Sequence, residues 1–225
     1  MNSIISAAAP LASAISIILF ALPSYIGAIR HRGVGRALLL ILALGLFGLV
    51  FETMAIKTGY PYGQFTYSDT LGYKILGLTP WTVAFAYPPL ILGAFWLASK
   101  ITKTGMRIVL TAIFALALDV VLDPALTRMG IWQWEKAGPF YGVPLMNFGG
   151  WFISGLISGW IIHKIWGKKE SVHRSLAYSA FALTWFWAGV NLGLKQWIPG
   201  AVGIAIGLIT IIIMRIEKKR EQKNA

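Results

Sequence analysis

The 225-residue chain contains no cysteine, which excludes disulfides, thiolate chemistry and Cys-ligated metal. Histidine is almost as scarce, at His31, His163 and His173. All three lie in or beside basic segments on the cytoplasmic side, too few and too distant from Glu52, Asp119 and Asp123 for an iron-dependent oxygenase centre. No GxGxxG run offers a flavin or nicotinamide site. Acidic residues number only eight against twenty basic ones, and charged residues of both signs make up 12%. Apolar residues, by contrast, make up 57%, and the mean hydropathy is +0.69. That balance belongs to a polytopic membrane protein rather than a soluble domain.

Apolar stretches near the length needed to cross a bilayer lie at 11–29, 37–56, 81–99, 108–126, 148–166, 176–193 and 199–214. The sequence therefore predicts an all-α bundle of seven transmembrane helices forming a single domain over 1–225, multi-pass in the cell membrane. The formal charge of +12 is distributed by topology. Arg30, Arg32 and Arg36 follow helix 1, and Lys100, Lys103 and Arg107 follow helix 3. Lys164, Lys168, Lys169 and Arg174 follow helix 5; Arg215, Lys218, Lys219, Arg220 and Lys223 follow helix 7. Only Lys57, Lys74, Arg128, Lys136 and Lys195 occupy the alternate loops. Positive charge on cytoplasmic loops puts the N-terminus outside and the C-terminus in the cytoplasm. The excess is a signal of topology and of contact with anionic membrane lipids, with no nucleic-acid partner. Positive charges follow the first apolar stretch instead of preceding it, so helix 1 reads as a retained span and not as a signal peptide.

Two outer loops, 57–80 ("KTGYPYGQFTYSDTLGYKILGLTP") and 127–147 ("TRMGIWQWEKAGPFYGVPLMN"), are rich in glycine, proline and aromatic rings. Aromatic residues favour the membrane interface, but Tyr60, Tyr62, Phe65, Tyr67 and Tyr73 with Trp132, Trp134, Phe140 and Tyr141 exceed what anchoring needs. The loops are expected to fold back as structured caps. They also echo each other: Glu52 is followed by Gly59 at +7 and Asp123 by Gly130 at +7, as in a duplicated helix–cap–helix unit. Gly155 with Gly159, and Gly203 with Gly207, have the spacing that lets helices approach closely.

The acidic residues carry the chemistry. "LDVVLD" places Asp119 and Asp123 four residues apart, on one helix face. With about 1.5 Å rise per residue, Glu52 lies about 24 Å along its helix from Arg36, Asp119 about 18 Å from Arg107, and Asp123 about 24 Å from Arg107. Three carboxyls thus share one layer of a hydrocarbon core about 30 Å thick. Charge there is expensive and usually functional, and two adjacent carboxylates repel, so at least one is expected to hold a proton. The helix is expected to break at Pro124. Tyr87, Asn147 and Asn191 are further polar groups near this layer. A protonated acid under aromatic rings suits protonation of an alkene, the carbocation being held over π-faces and a second carboxylate orienting water or removing a proton.

The segments "FETMAIKTGYPYGQFTYSDTLG", "TPWTVAFAYPP" and "LDVVLDPALTRMGIWQWEKAGPFYGVPLMNFGGW" resemble the membrane-bound carotenoid biosynthesis family of the carotenoid 1,2-hydratase and bisanhydrobacterioruberin hydratase type. The resemblance covers roughly residues 35–200; helices 1 and 7 look generic. It implies a carotenoid or related isoprenoid lipid as substrate and hydration of the terminal double bond of an acyclic ψ-end to a tertiary alcohol, without a cofactor. On the residue-level reading, Asp119 is the expected proton donor, Asp123 its proton-sharing partner, and Glu52 the group that positions water or accepts a proton. Tyr60, Tyr62, Phe65, Trp132 and Trp134, with Tyr87, Asn147 and Asn191, are expected to contact substrate; no metal site is expected.

Two other readings stay open. A carotenoid cyclase would form the same cation and close a ring, and the dryness of the pocket separates the two. A proton or ion pathway would also use intramembrane carboxylates, but no matching acid occupies the cytoplasmic half. A retinal protein would need a lysine in helix 7, where "PGAVGIAIGLITIIIM" has none.

Overall fold

In hydrocarbon each backbone segment must satisfy its own polar groups, so long apolar runs become helices. The computed structural model describes residues 2–102, 105–167 and 172–223, with side chains from Ala8 onward; Lys103, Lys168, Lys169 and Glu170 fall outside the described residues. Among these residues the chain forms seven α-helices: α1 (Asn2–Arg32), α2 (Val34–Thr58), α3 (Val83–Ile101), α4 (Gly105–Arg128), α5 (Leu145–Trp166), α6 (Tyr178–Gly193) and α7 (Trp197–Lys223). Six are long and apolar enough to cross a membrane. The exception is α6, whose 16 residues span only about 24 Å; a 3-10 turn over Arg174–Ala177 precedes it.

Helix α3 is the centre of the bundle, buried without interruption from Tyr87 to Ala98, and it packs against α1, α2, α4 and α6. Small residues set these approaches. A Cβ on Gly48 would lie 2.8 Å from the Tyr87 ring, one on Gly155 2.7 Å from Ala112 Cα, and one on Gly203 2.7 Å from Ala188 Cβ. The two spaced glycine pairs therefore do what their spacing predicts, seating α5 on α4 and α7 on α6.

Pro124 does not end its helix, contrary to the sequence expectation: α4 runs on to Arg128. A proline inside a helix removes one hydrogen bond to the preceding turn, which a membrane bundle tolerates where neighbouring elements brace the helix. Here Asn191 Nδ2 donates to Val121 O at 2.7 Å and Gln196 Nε2 to Pro124 O at 3.1 Å, bracing the helix on either side of the proline.

The outer loops form a small paired cap. Strand β1 (Phe65–Tyr67) runs antiparallel to β4 (Trp132–Trp134), with Phe65 opposite Trp134 and Tyr67 opposite Trp132. A second short pair joins β2 (Lys74–Ile75) to β3 (Thr79–Pro80). Because strand side chains alternate faces, the four rings point inward while Thr66 and Gln133 are exposed. Ring centroids lie 5.1 Å apart for Phe65–Trp134 and 5.9 Å for Tyr67–Trp132, in the range where aromatic pairs contribute about 0.5–1.5 kcal/mol each. Gly59 and Gly130, the matched glycines after Glu52 and Asp123, both take the left-handed conformation, φ 78° and 69°, that turns the chain off its helix into the cap.

The cap docks on α5 through Gly150, where a Cβ would meet Tyr62 Cδ1 at 2.4 Å and Pro61 O at 2.6 Å; its neighbour Gly149 meets nothing within 4 Å. Gly150→Ala is accordingly expected to destabilise the protein by about 1–3 kcal/mol through overpacking. Gly149→Ala is expected to stabilise it by about 0.5–1 kcal/mol through helix propensity. Thermal unfolding of both variants in detergent checks this opposite pair of signs.

Candidate active site

Residues 119 and 123 stand one turn apart on α4, and both are buried, Asp119 fully and Asp123 to 3% exposure. Asn147, in the first turn of α5, donates from the same Nδ2 to both: 2.9 Å to Asp119 Oδ2 and 2.6 Å to Asp123 Oδ2. Both carboxyls thus draw on one amide donor, and Asp119 Oδ1 has no hydrogen-bond partner among the described residues.

Glu52 enters from α2, half-buried, and accepts a hydrogen bond from the Tyr67 hydroxyl. Burial, then the neighbouring Glu52 charge, hold the Tyr67 phenol well above its usual 10, so it remains a donor at any ordinary pH. The cap strand β1 thereby fixes the rotamer of a membrane carboxyl.

Between these groups lies a cavity of about 30 Å³, lined by Glu52, Asp123 and Asn147 and walled by Tyr62, Phe65, Tyr67, Trp132, Trp134 and Trp151. It exceeds the 10–15 Å³ that one water requires and offers that water the two to four polar partners it needs. An apolar ligand the size of benzene needs about 150 Å³.

The expected residues divide around this cavity. Glu52, Asp123, Asn147, Tyr62, Phe65, Trp132 and Trp134 line it. Asp119 sits one turn deeper and reaches it only through Asp123 and Asn147. Tyr87 is a further step below, bonded to Ser158 Oγ at 2.8 Å with its ring 5.7 Å from that of Trp151. Tyr60 is 57% exposed on the outside of the cap, and Asn191 spends both amide hydrogens on backbone carbonyls of α4 and α6. Neither lines the cavity. Trp151 and Tyr67 do, and neither was an expected site residue. Trp151 follows Asn147 by one helical turn, so its facing was legible once Asn147 was placed. The signal for Tyr67 was weaker, lying only in its place among the cap aromatics.

A multi-pass membrane bundle with an acid pair, a third carboxyl and a ring-lined cavity under a cap is the class that fold and site define. Residues 9–210 match the family described as carotenoid biosynthesis protein, and the chain belongs to that family. It is similar to bisanhydrobacterioruberin hydratase of Haloarcula japonica, with 31% identity over 183 residues. The match covers 76% of this chain and 62% of the relative, so the chain spans less than two thirds of that protein's length. No solved structure matches it significantly.

Proposed function

We propose that the protein adds water across the terminal double bond of an acyclic carotenoid. The observation that carries this reading is a water-sized cavity between Asp123 and Glu52, roofed by aromatic rings. Asp123, which faces the cavity, takes the proton-donor role in place of Asp119; Asp119 shares its proton, and Asn147 donates to both carboxyls and fixes their positions. The Asp123 proton goes to the less substituted alkene carbon as the π bond breaks, leaving a tertiary cation on the carbon bearing two methyls. The indole faces of Trp132, Trp134 and Trp151 hold that cation. Glu52, oriented by Tyr67, takes one proton from the water as its oxygen bonds the cation. A proton passing from Glu52 back to Asp123 closes the cycle, with one water consumed and one tertiary alcohol formed.

Three polar groups around a space that fits water favour capture over ring closure, which needs a dry pocket. A proton pathway lacks support at the other end of the bundle. There the described acids are engaged in ion pairs, Glu217 with Lys100 at 2.8 Å and Glu221 with Arg174. Expression in cells that accumulate lycopene tests the proposal: a product heavier by one water is expected. An isomer of unchanged mass would mean cyclisation, and unaltered pigment would overturn an activity on this substrate.

The basic residues grouped after odd-numbered helices support an orientation in which the C-terminus is cytoplasmic and the carboxyl site lies toward the outside. Fusions to the C-terminus check it: green fluorescent protein is expected to fluoresce, and alkaline phosphatase to stay inactive.

A further inference from the structure

A second concavity opens on the same end of the bundle, behind the catalytic cavity, with a volume of about 490 Å³. Thr127 and Arg128 from the end of α4, Tyr141 from the cap, and Lys195 and Gln196 from the α6–α7 turn line it. Two of the five basic residues in the non-basic loops thus converge on one depression. Neither pairs with an acid among the described residues, whereas Lys74, on the same side, holds Asp69 at 2.6 Å. The 27-residue helix α7 begins here. Among the described residues the Trp197 N–H meets no acceptor, and that of Ile198 has only the Tyr141 hydroxyl at 3.5 Å. Unsatisfied N–H groups at a long helix's start, with two cations, form an anion site.

A second, independent group points to the rest of the ligand. Gln196 is only 5% exposed and lines the concavity. Its amide N–H donates to Pro124 O, but Oε1, closed off from solvent, has no partner among the described residues. A buried unpaired acceptor costs about 1–3 kcal/mol, and a hydroxyl reaching it as the side chain turns toward the concavity would satisfy it; an ammonium would be repelled by Arg128 and Lys195. Trp197 and Ile198 at the rim are exposed and apolar, 63% and 56%, as suits the headgroup layer of a membrane. We infer that this concavity binds the headgroup of an anionic phospholipid that carries hydroxyls, of phosphoglycerol chemistry. The phosphate meets Arg128, Lys195 and the start of α7, and a glycerol hydroxyl meets Gln196.

The site touches the catalytic one at two points. Gln196 holds the carbonyl of Pro124, next to Asp123, and Thr127 Oγ1 accepts from the indole N–H of Trp134 at 3.0 Å. The inference nevertheless stands apart from the hydration reading, because its test reads binding alone. Thermal unfolding of the full chain in neutral detergent is followed while phosphatidylglycerol, phosphatidic acid, phosphatidylcholine or soluble glycerol phosphate is added. Phosphatidylglycerol is expected to raise the midpoint saturably and at lower concentration than the other three. The pair Arg128→Gln and Lys195→Gly is expected to weaken its half-saturation at least tenfold. Glycine suits the left-handed backbone of residue 195, φ 59°, so the lipid-free midpoint is expected to hold. Arg128→Gln alone provides a second variant in which residue 195 is untouched, with an expected loss of at least threefold. Equal responses to phosphatidylglycerol and phosphatidylcholine, or wild-type affinity in these variants, would overturn the site. An equal response to phosphatidic acid would overturn the hydroxyl assignment, and one to glycerol phosphate would overturn a lipid as its source.

Discussion

Asp123→Asn is expected to lower formation of the hydrated carotenoid by at least about a hundredfold, since a positioned general acid contributes typically 10²–10⁴. The substitution keeps the shape of the side chain and an oxygen that still accepts from Asn147, so the bundle is expected to fold and to accumulate as the wild type does. What it removes is the transferable proton at the only aspartate that lines the cavity. Pigment extracted from equal amounts of membrane protein, resolved by chromatography and mass, measures the effect. Asp119→Asn is expected to retain measurable turnover, because Asp119 lies one turn behind and acts through its partner. The opposite order, with Asp119→Asn inactive and Asp123→Asn active, would return the donor role to Asp119.

Glu52→Gln separates the two halves of the reaction. Its amide still accepts from Tyr67 but takes no proton from water. Protonation of the alkene would proceed while capture of the cation failed, and the product spectrum is expected to shift from alcohol toward isomers of unchanged mass. A plain loss of all products would instead place Glu52 in the protonation step.

Much of the fold was legible because the hydrocarbon environment leaves few choices. Apolar runs of the right length became helices, and carboxyls in such runs stood out because burying them is costly. The sequence misled where a local rule was overridden by the bundle. Pro124 reads as a helix end, yet side chains from α6 and the α6–α7 turn donate to carbonyls beside it. Asn191 reads as a ligand for substrate because it is polar and buried, when its amide serves that same stretch of α4. Trp151 was hidden among the apolar residues of α5, where an aromatic ring carries no signal of its own. The pairing of β1 with β4 had the least trace. Three-residue strands rich in aromatic residues resemble an interfacial belt, and the partners lie far apart in the chain, Thr66 pairing with Gln133 67 positions on. Only the echo of Glu52–Gly59 in Asp123–Gly130 linked the two caps, and it gave no register.

That pairing leads to the other large effect. The cavity of about 30 Å³ is several-fold too small for a branched end group, given that benzene alone needs about 150 Å³. The ring-lined wall must therefore move for substrate to reach Asp123, and the thinnest part of it is the two-stranded sheet of the cap, three residues wide. Two-stranded pairs of this kind are marginally stable by themselves. Thr66 and Gln133 face each other in register on its exposed side, and directly opposed residues stand about 4.5–5.5 Å apart at Cα, within the span of a disulfide. The absence of native cysteine leaves the pair Thr66→Cys and Gln133→Cys free of competing thiols. If substrate enters by parting β1 from β4, the oxidised double variant is expected to lose nearly all hydration, each single variant to keep it, and reduction to restore the double variant. Full activity in the oxidised form would show that the strands stay together and that the end group enters from the membrane side, between α2 and α5, past Trp151.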